Sequence, residues 1–154
     1  MVFIISILLT INSCWAETST VKGWRGIVPL HSTRADVEAL LGPGTNECKC
    51  RYFMEKENVF FIYSSGDCKT GGSWDVAKDT VLSITVYQKP SPRFSEMNLD
   101  KTKFSEKHVG HIEDIVSYVN DEEGLIIEVN SERDMVLGFY YMPTKRDQHL
   151  RCRK

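Results

Sequence analysis

STRADVEALLGP, which spans residues 32–43, predicts a short helix and marks both of its ends. Thr33 is a good N-cap, and Asp36 follows three residues later, where its carboxylate can accept hydrogen bonds from unpaired backbone N–H groups. Gly42 provides a left-handed end to the helix, and Pro43 prevents its continuation. The apolar residues form one stripe along the helix: Val37, Leu40 and Leu41. Because so short a helix is not stable alone, this stripe must pack on another element.

Runs of apolar and β-branched residues after the helix predict a sheet. In the clearest run, 81–87, Leu82, Ile84 and Val86 alternate with polar neighbours. Turns rich in acidic residues separate the later runs, and Gly124 is expected to adopt a positive φ. The predicted strands lie at 50–54, 59–63, 81–87, 115–119, 125–129 and 135–142.

The order of these elements is a helix, three strands, a proline-containing connection at 89–100 and three more strands. This order predicts an α+β fold in which a short helix packs on a mainly antiparallel sheet. The halves 24–88 and 93–142 are possible degenerate repeats of one helix-plus-three-strand unit. After a signal segment at 1–16, residues 17–154 are predicted to form a single domain.

The first 16 residues carry no charge, and their apolar run is too short to span a bilayer. They predict a secretory signal that is cleaved after Ala16, where small residues precede the cut. The alternative is lipidation of Cys14, which would anchor the mature protein to a membrane. The sequence therefore predicts a secreted or periplasmic protein, or a membrane-anchored one if Cys14 carries a lipid.

Four cysteines follow this signal, and an even number in an exported chain predicts two disulfide bonds. Cys48 and Cys50 are expected not to pair with each other, because on a strand both side chains would point to one face. A hairpin between the first two strands favours Cys48–Cys68, which leaves Cys50–Cys152 to fasten the basic C-terminal tail. Four cysteines allow three connectivities, of which the two that join Cys48 and Cys50 to Cys68 and Cys152 are expected, and a metal site on the Cys-x-Cys pair is the rival interpretation.

Residues 30–43 resemble a segment of the β-lactamase inhibitor protein-like fold. The shared pattern is a Ser/Thr cap, a short Val-x-x-Leu-Leu-Gly helix and a proline, and the small lipoprotein of the outer-membrane barrel-assembly machinery has a similar segment. The resemblance implies a short helical unit against a three-stranded antiparallel sheet, which occurs twice in tandem in the inhibitor. The stretch 24–41 and the cysteine layout are also similar to a group of small exported bacterial proteins of unknown function. The matching positions are Thr33, Val37, Leu40, Leu41 and Gly42.

A net charge of −2 gives no case for binding nucleic acid or an anionic membrane surface. The charge is nevertheless uneven, because residues 93–134 hold eleven acidic and five basic residues, whereas residues 145–154 hold five basic and one acidic. We expect a solvated acidic face and a solvated basic tail, with a docking site for a partner as the alternative.

No catalytic or cofactor motif is present in the sequence, so no catalytic residue, metal ligand or cofactor is predicted. His108 and His111 lack a third ligand at a suitable spacing. His31 is expected to be packed or solvated, with anion binding at the helix start as the alternative. The turn at 63–67 lacks the Gly-x-Ser-x-Gly pattern of a nucleophile, and the acids at 122–123 are expected at the surface of a hairpin tip.

These observations favour an exported, non-catalytic module that binds another protein through the open face or edge of its sheet. One of Tyr140 and Tyr141 must face outward, where an aromatic ring can anchor a partner. The alternatives are an envelope-assembly factor anchored at Cys14 and a small thiol-active or hydrolytic enzyme.

Overall fold

The computed structural model describes residues 23–44, 47–108 and 114–153. Within these ranges the chain forms one α-helix, α1 at Arg34–Leu41, together with seven β-strands and four short 3-10 turns. The strands are β1 (Arg51–Phe53), β2 (Glu57–Tyr63), β3 (Val81–Gln88), β4 (Ser105–His108), β5 (Ile115–Asn120), β6 (Leu125–Asn130) and β7 (Met135–Tyr141).

Helix α1 has the predicted ends. The Thr33 side chain accepts a hydrogen bond from the backbone N–H of Asp36, and the Asp36 carboxylate accepts one from the backbone N–H of Thr33 at 2.7 Å. Gly42 ends the helix at the predicted position with a positive φ of 79°, but its ψ of 176° is not that of the left-handed helical conformation that was expected. The buried stripe is narrower than predicted, because Val37 is fully buried whereas Leu40 is 45 % exposed.

The strands form one antiparallel sheet in the order β1-β2-β3-β7-β6-β5-β4. The predicted α+β class and the mainly antiparallel sheet are therefore confirmed. The pairing of β3 with β7 joins the two halves of the chain into one continuous sheet. Gly124 has the predicted positive φ, 62°, in the turn before β6, where a Cβ atom would lie 2.2 Å from the Met142 carbonyl oxygen.

Strand β4 was not predicted, and the second half therefore has four strands where three were expected. Its sequence, SEKH at 105–108, has no apolar residue because all four side chains are exposed at the edge of the sheet. In place of a second α-helix, the stretch before it forms two 3-10 turns. The proposed repeat of 24–88 in 93–142 stays a prediction.

One face of the sheet, called the inner face, carries the core. The helix and the turn at 24–27 pack on the β1–β3 half of this face, where the ring centroids of Trp24 and Phe61 lie 5.9 Å apart. The connection between β3 and β4 packs on the other half, where Phe94 is buried and stacks on Tyr118 at 4.3 Å. The connection thus contributes Phe94 to the core.

In the part of the chain that the structure describes, no helix has the length and apolar character needed to cross a membrane.

Candidate functional site: the open face of the sheet

Five large side chains gather on the face opposite the core. Phe61 is only 3 % exposed and points to the inner face, so its neighbours Phe60 and Ile62 point to the other side. The pairing of Phe60 with Thr85, and of Thr85 with Tyr140, continues this outer face across β3 and β7. The group is called the open-face cluster and consists of Phe53, Phe60, Ile62, Tyr87 and Tyr140.

Three of the five members of the open-face cluster are exposed. Phe53 is 67 % exposed, Ile62 is 59 % exposed and Tyr87 is 38 % exposed. These three are among the five exposed large hydrophobic residues in the described part of the chain. Single exposed apolar residues are ordinary on protein surfaces, whereas several on one face of a sheet make that face a candidate surface for interaction.

The aromatic members of the cluster hold one another in place. The rings of Phe53 and Phe60 meet edge to face with centroids 5.9 Å apart, and those of Phe60 and Tyr87 do so at 5.6 Å. A Cβ atom at Gly138 would lie 3.1 Å from Cε1 of Tyr87, so the glycine allows the tyrosine ring to approach the sheet closely. Rings that are already ordered lose little side-chain entropy when a partner docks.

Opposite charges flank the cluster. The Arg51 guanidinium lies 6.0 Å from the centroid of the Phe60 ring, near the β1 edge. On the other side, the Tyr140 hydroxyl donates a hydrogen bond of 2.7 Å to Oε2 of Glu128. Burial, together with this hydrogen bond, raises the pKa of Tyr140, so the phenol stays neutral and keeps its proton on the donor side. The face therefore offers apolar surface between a cation and an anion.

The sheet edges are less suited to a partner than the face. Strand β4, at one edge, exposes Glu106 and Lys107, and charged edge residues oppose the addition of another strand. Strand β1, at the other edge, is only three residues long. Of the two surfaces that the sequence analysis left open, the outer face has the better chemistry for docking.

The cysteines form two disulfides, as predicted, but not with the favoured pairing. Cys48 bonds to Cys50 with Cα atoms 5.1 Å apart, and Cys68 bonds to Cys152 with Cα atoms 5.4 Å apart. The expectation that Cys48 and Cys50 do not pair is wrong because β1 begins only after them. Lys49 instead has a φ of 48°, which turns the chain so that the two cysteines meet. Two disulfides are consistent with an extracellular or periplasmic protein.

The C-terminal tail is fastened as predicted, although by Cys68 and not by Cys50. A second link joins the tail to the start of α1, where His31 Nε2 and Asp147 Oδ1 lie 2.9 Å apart. Asp147 is 4 % exposed and also accepts hydrogen bonds from the backbone N–H and hydroxyl of Thr144, at 2.8 and 2.7 Å. His31 thus forms a hydrogen bond with the C-terminal tail.

Replacing Asp147 by asparagine is expected to lower the free energy of unfolding at pH 7 by about 1–2 kcal/mol, because a charge-assisted cap is lost. Burial alone would raise the pKa of Asp147, but the hydrogen bonds from Thr144 and His31 outweigh burial and lower it. The stabilisation is therefore present above the unfolded pKa of about 3.9 and is lost as the pH falls through the folded pKa. Urea unfolding at pH 7 and pH 3 measures it.

The matched control for Asp147 is Asp36→Asn, which removes the carboxylate of a similar Thr-x-x-Asp cap at an exposed site. Its loss of stability should be smaller. An Asp147→Asn protein that is as stable as the native protein at pH 7 would contradict the assigned role of this carboxylate.

The other residues singled out in the sequence do not assemble into a reactive site. Ser64 Oγ accepts a hydrogen bond from the Gly66 N–H and donates one to its carbonyl, which is turn chemistry as expected. Glu122 pairs with Lys145 at 3.2 Å on the surface. His108 is exposed on β4. His111, Cys14 and Ala16 lie outside the described residues.

One further surface, a cleft, lacks a distinct chemistry. A cleft of 630 Å³ beside β4 and β5 is lined by two cations and two acids, so its charge favours no ligand of one sign: Lys103, Lys145, Asp121 and Glu122. Among the described residues, no group of three or more His, Cys, Asp and Glu side chains is placed to hold a metal ion.

Protein-family models, curated proteins and solved structures gave no significant match to this chain. The resemblance of residues 30–43 to the inhibitor-like fold therefore stays a prediction, and the physical chemistry of the molecule itself supports any proposal of function.

Proposed function

We propose that the chain is an exported, non-catalytic protein-binding module that docks another exported protein on its open-face cluster. The observation that carries this proposal is the exposure of Phe53, Ile62 and Tyr87 on one side of a sheet whose other side is filled by the core. Secretion or transfer to the periplasm agrees with the two disulfides and with the apolar segment at 1–16.

We expect the partner to match the chemistry of the face. An apolar patch of aromatic and branched side chains would fill the space over the ordered rings, and hot spots of this kind contribute most of the affinity of protein complexes. An acidic group on the partner would meet Arg51, and a donor or cation would meet Glu128. Membrane attachment through Cys14 is the alternative and would change where this docking takes place.

The test compares the native protein with Phe53→Ser/Ile62→Ser as bait for exported proteins of the same organism. These two side chains are the most exposed of the cluster, so their loss should leave the fold intact. Once a captured partner is purified, the double variant should raise its Kd by about 30-fold or more, since two hot-spot side chains are removed.

Leu40→Ser is the matched control, because Leu40 is 45 % exposed but lies on α1, which packs on the inner face. Its Kd should stay within about twofold of the native value. Binding that survives the double variant unchanged, or that is lost equally in the control, would contradict docking on the open face.

A further inference from the structure

The two disulfides differ in how much the fold supports them. Cys48 and Cys50 are 2 residues apart in sequence, whereas Cys68 and Cys152 are 84 residues apart. A disulfide that closes a long loop stabilises the folded state more than one that closes a short loop. By thermodynamic linkage, the fold stabilises each disulfide by the same amount that the disulfide stabilises the fold. Folding therefore protects Cys68–Cys152 far more than Cys48–Cys50 against reduction.

The two bonds are alike in exposure, because Cys48 and Cys68 are exposed whereas Cys50 and Cys152 are partly buried. Both also lie next to backbone hydrogen bonds, from the Cys152 N–H to the Ser73 carbonyl at 3.1 Å and from the Phe61 N–H to the Cys50 carbonyl at 2.8 Å. The difference in support therefore comes from loop length, since Cys48–Cys50 closes only a turn before the edge strand β1.

The turn around Cys48–Cys50 combines an unfavourable backbone conformation with a hydrogen bond from a side chain outside the turn. Lys49, between the cysteines, has a left-handed φ of 48°, which costs free energy in a residue with a side chain. Arg34 Nη1 donates a hydrogen bond of 2.7 Å to the Cys48 carbonyl, and Arg34 is itself paired with Asp79 at 2.9 Å. The turn thus keeps its place through Arg34 when the disulfide opens.

The turn carries an excess of positive charge in its sequence. Lys49 and Arg51 flank Cys50 and Glu47 precedes Cys48, whereas the charge of Arg34 is balanced by Asp79. Cations attract an incoming thiolate and stabilise the thiolate that leaves.

We propose that Cys48–Cys50 is a thiol–disulfide exchange site that accepts two electrons from the dithiol of another polypeptide. A thiolate of that dithiol attacks Cys48 Sγ, the bond between the two sulfur atoms of Cys48 and Cys50 breaks, and Cys50 leaves as a thiolate. The second thiolate of the dithiol then attacks its own mixed-disulfide sulfur and releases Cys48. The dithiol is oxidised to a disulfide, and Cys48 and Cys50 hold the two electrons and take up two protons. The step occurs once per molecule and does not depend on the open-face cluster.

The first test is stepwise reduction of the native protein in dithiothreitol buffers, followed by alkylation and peptide mapping. Alkyl groups should appear on Cys48 and Cys50 at a dithiothreitol level about a hundredfold lower than on Cys68 and Cys152, as the two loop lengths imply. This readout needs no variant, so it remains informative even if a cysteine substitution prevents folding. Equal or earlier alkylation of Cys68 and Cys152 would overturn the proposal.

The second test mixes the oxidised protein with a synthetic peptide that carries two reduced cysteines. One equivalent of oxidised peptide should form as Cys48 and Cys50 become thiols, and Cys48→Ser/Cys50→Ser should abolish this product. Lys49→Glu should slow the reaction by about threefold, because it reverses one exposed charge near the attacked sulfur. Peptide oxidation by the double variant at the native rate would overturn the assignment.

Discussion

Replacing Cys68 and Cys152 together by serine is expected to lower the free energy of unfolding by about 4 kcal/mol, which corresponds to a fall in Tm of about 12 °C. The bond spans 84 residues and fastens the tail after β7 to the loop between β2 and β3. Without this bond the loop is no longer closed, and the conformational entropy of the unfolded chain rises. Thermal and urea unfolding under non-reducing conditions measure the loss.

Cys48→Ser/Cys50→Ser is the matched control for this change, because it also removes one disulfide and adds two hydroxyl groups. Its loop is so short that the expected cost is only about 1.5 kcal/mol. Equal losses of unfolding free energy in the two double variants would contradict the inference that Cys68–Cys152 stabilises the fold more than Cys48–Cys50 does.

The second large effect is expected at Phe61, where substitution by alanine should lower the free energy of unfolding by about 4 kcal/mol. Its ring meets Trp24 at 5.9 Å and Tyr52 at 5.7 Å, each edge to face, in the core under α1. Removing it leaves a cavity that three neighbouring aromatic rings cannot fill without moving, because Tyr63 also stacks on it at 6.1 Å.

Phe53→Ala tests whether the loss of stability at Phe61 is due to its burial on the inner face or to the removal of any phenylalanine ring. Phe53 is 67 % exposed on the open side of β1, and the same deletion there should cost less than about 1 kcal/mol. Urea unfolding of both variants makes the comparison. A Phe53→Ala protein as unstable as Phe61→Ala would mean that the assignment of the two faces is wrong.

The sequence could predict the elements that are determined by local signals, namely helix caps and the alternation of apolar residues. The Thr33 cap and Gly42 define α1 by local hydrogen bonding and a positive φ, which need no tertiary contact. Alternation in 81–87 predicts β3 because Ile84 and Val86 are buried on one side of the sheet. These signals give the class of the fold and most strand positions.

The strand order and β4 could not be predicted, because both depend on which distant residues meet. Ser105–His108 pairs with β5 through its backbone, while its four side chains remain in solvent and leave no apolar pattern. The placement of β3 beside β7 brings together chain segments more than 50 residues apart, and no local motif marks that contact.

The candidate site was predicted only in part. An outward tyrosine on the last strand was expected, and Tyr140 takes that place beside Thr85. The exposure of Phe53 and Ile62 was not foreseen, because an apolar residue in a strand gives no sign of which face is covered. The cysteine pairing depended on the left-handed Lys49, a conformation that few non-glycine residues adopt and that the sequence does not mark.

The most direct test of the central claim is oxidative footprinting of the protein alone and in complex with its captured partner. Docking on the open face predicts that Phe53, Phe60 and Tyr87 become protected in the complex, while Leu40 on α1, which is 45 % exposed, reacts as before. Protection confined to α1 or to the C-terminal tail, with Phe53 and Tyr87 still reactive, would contradict the account.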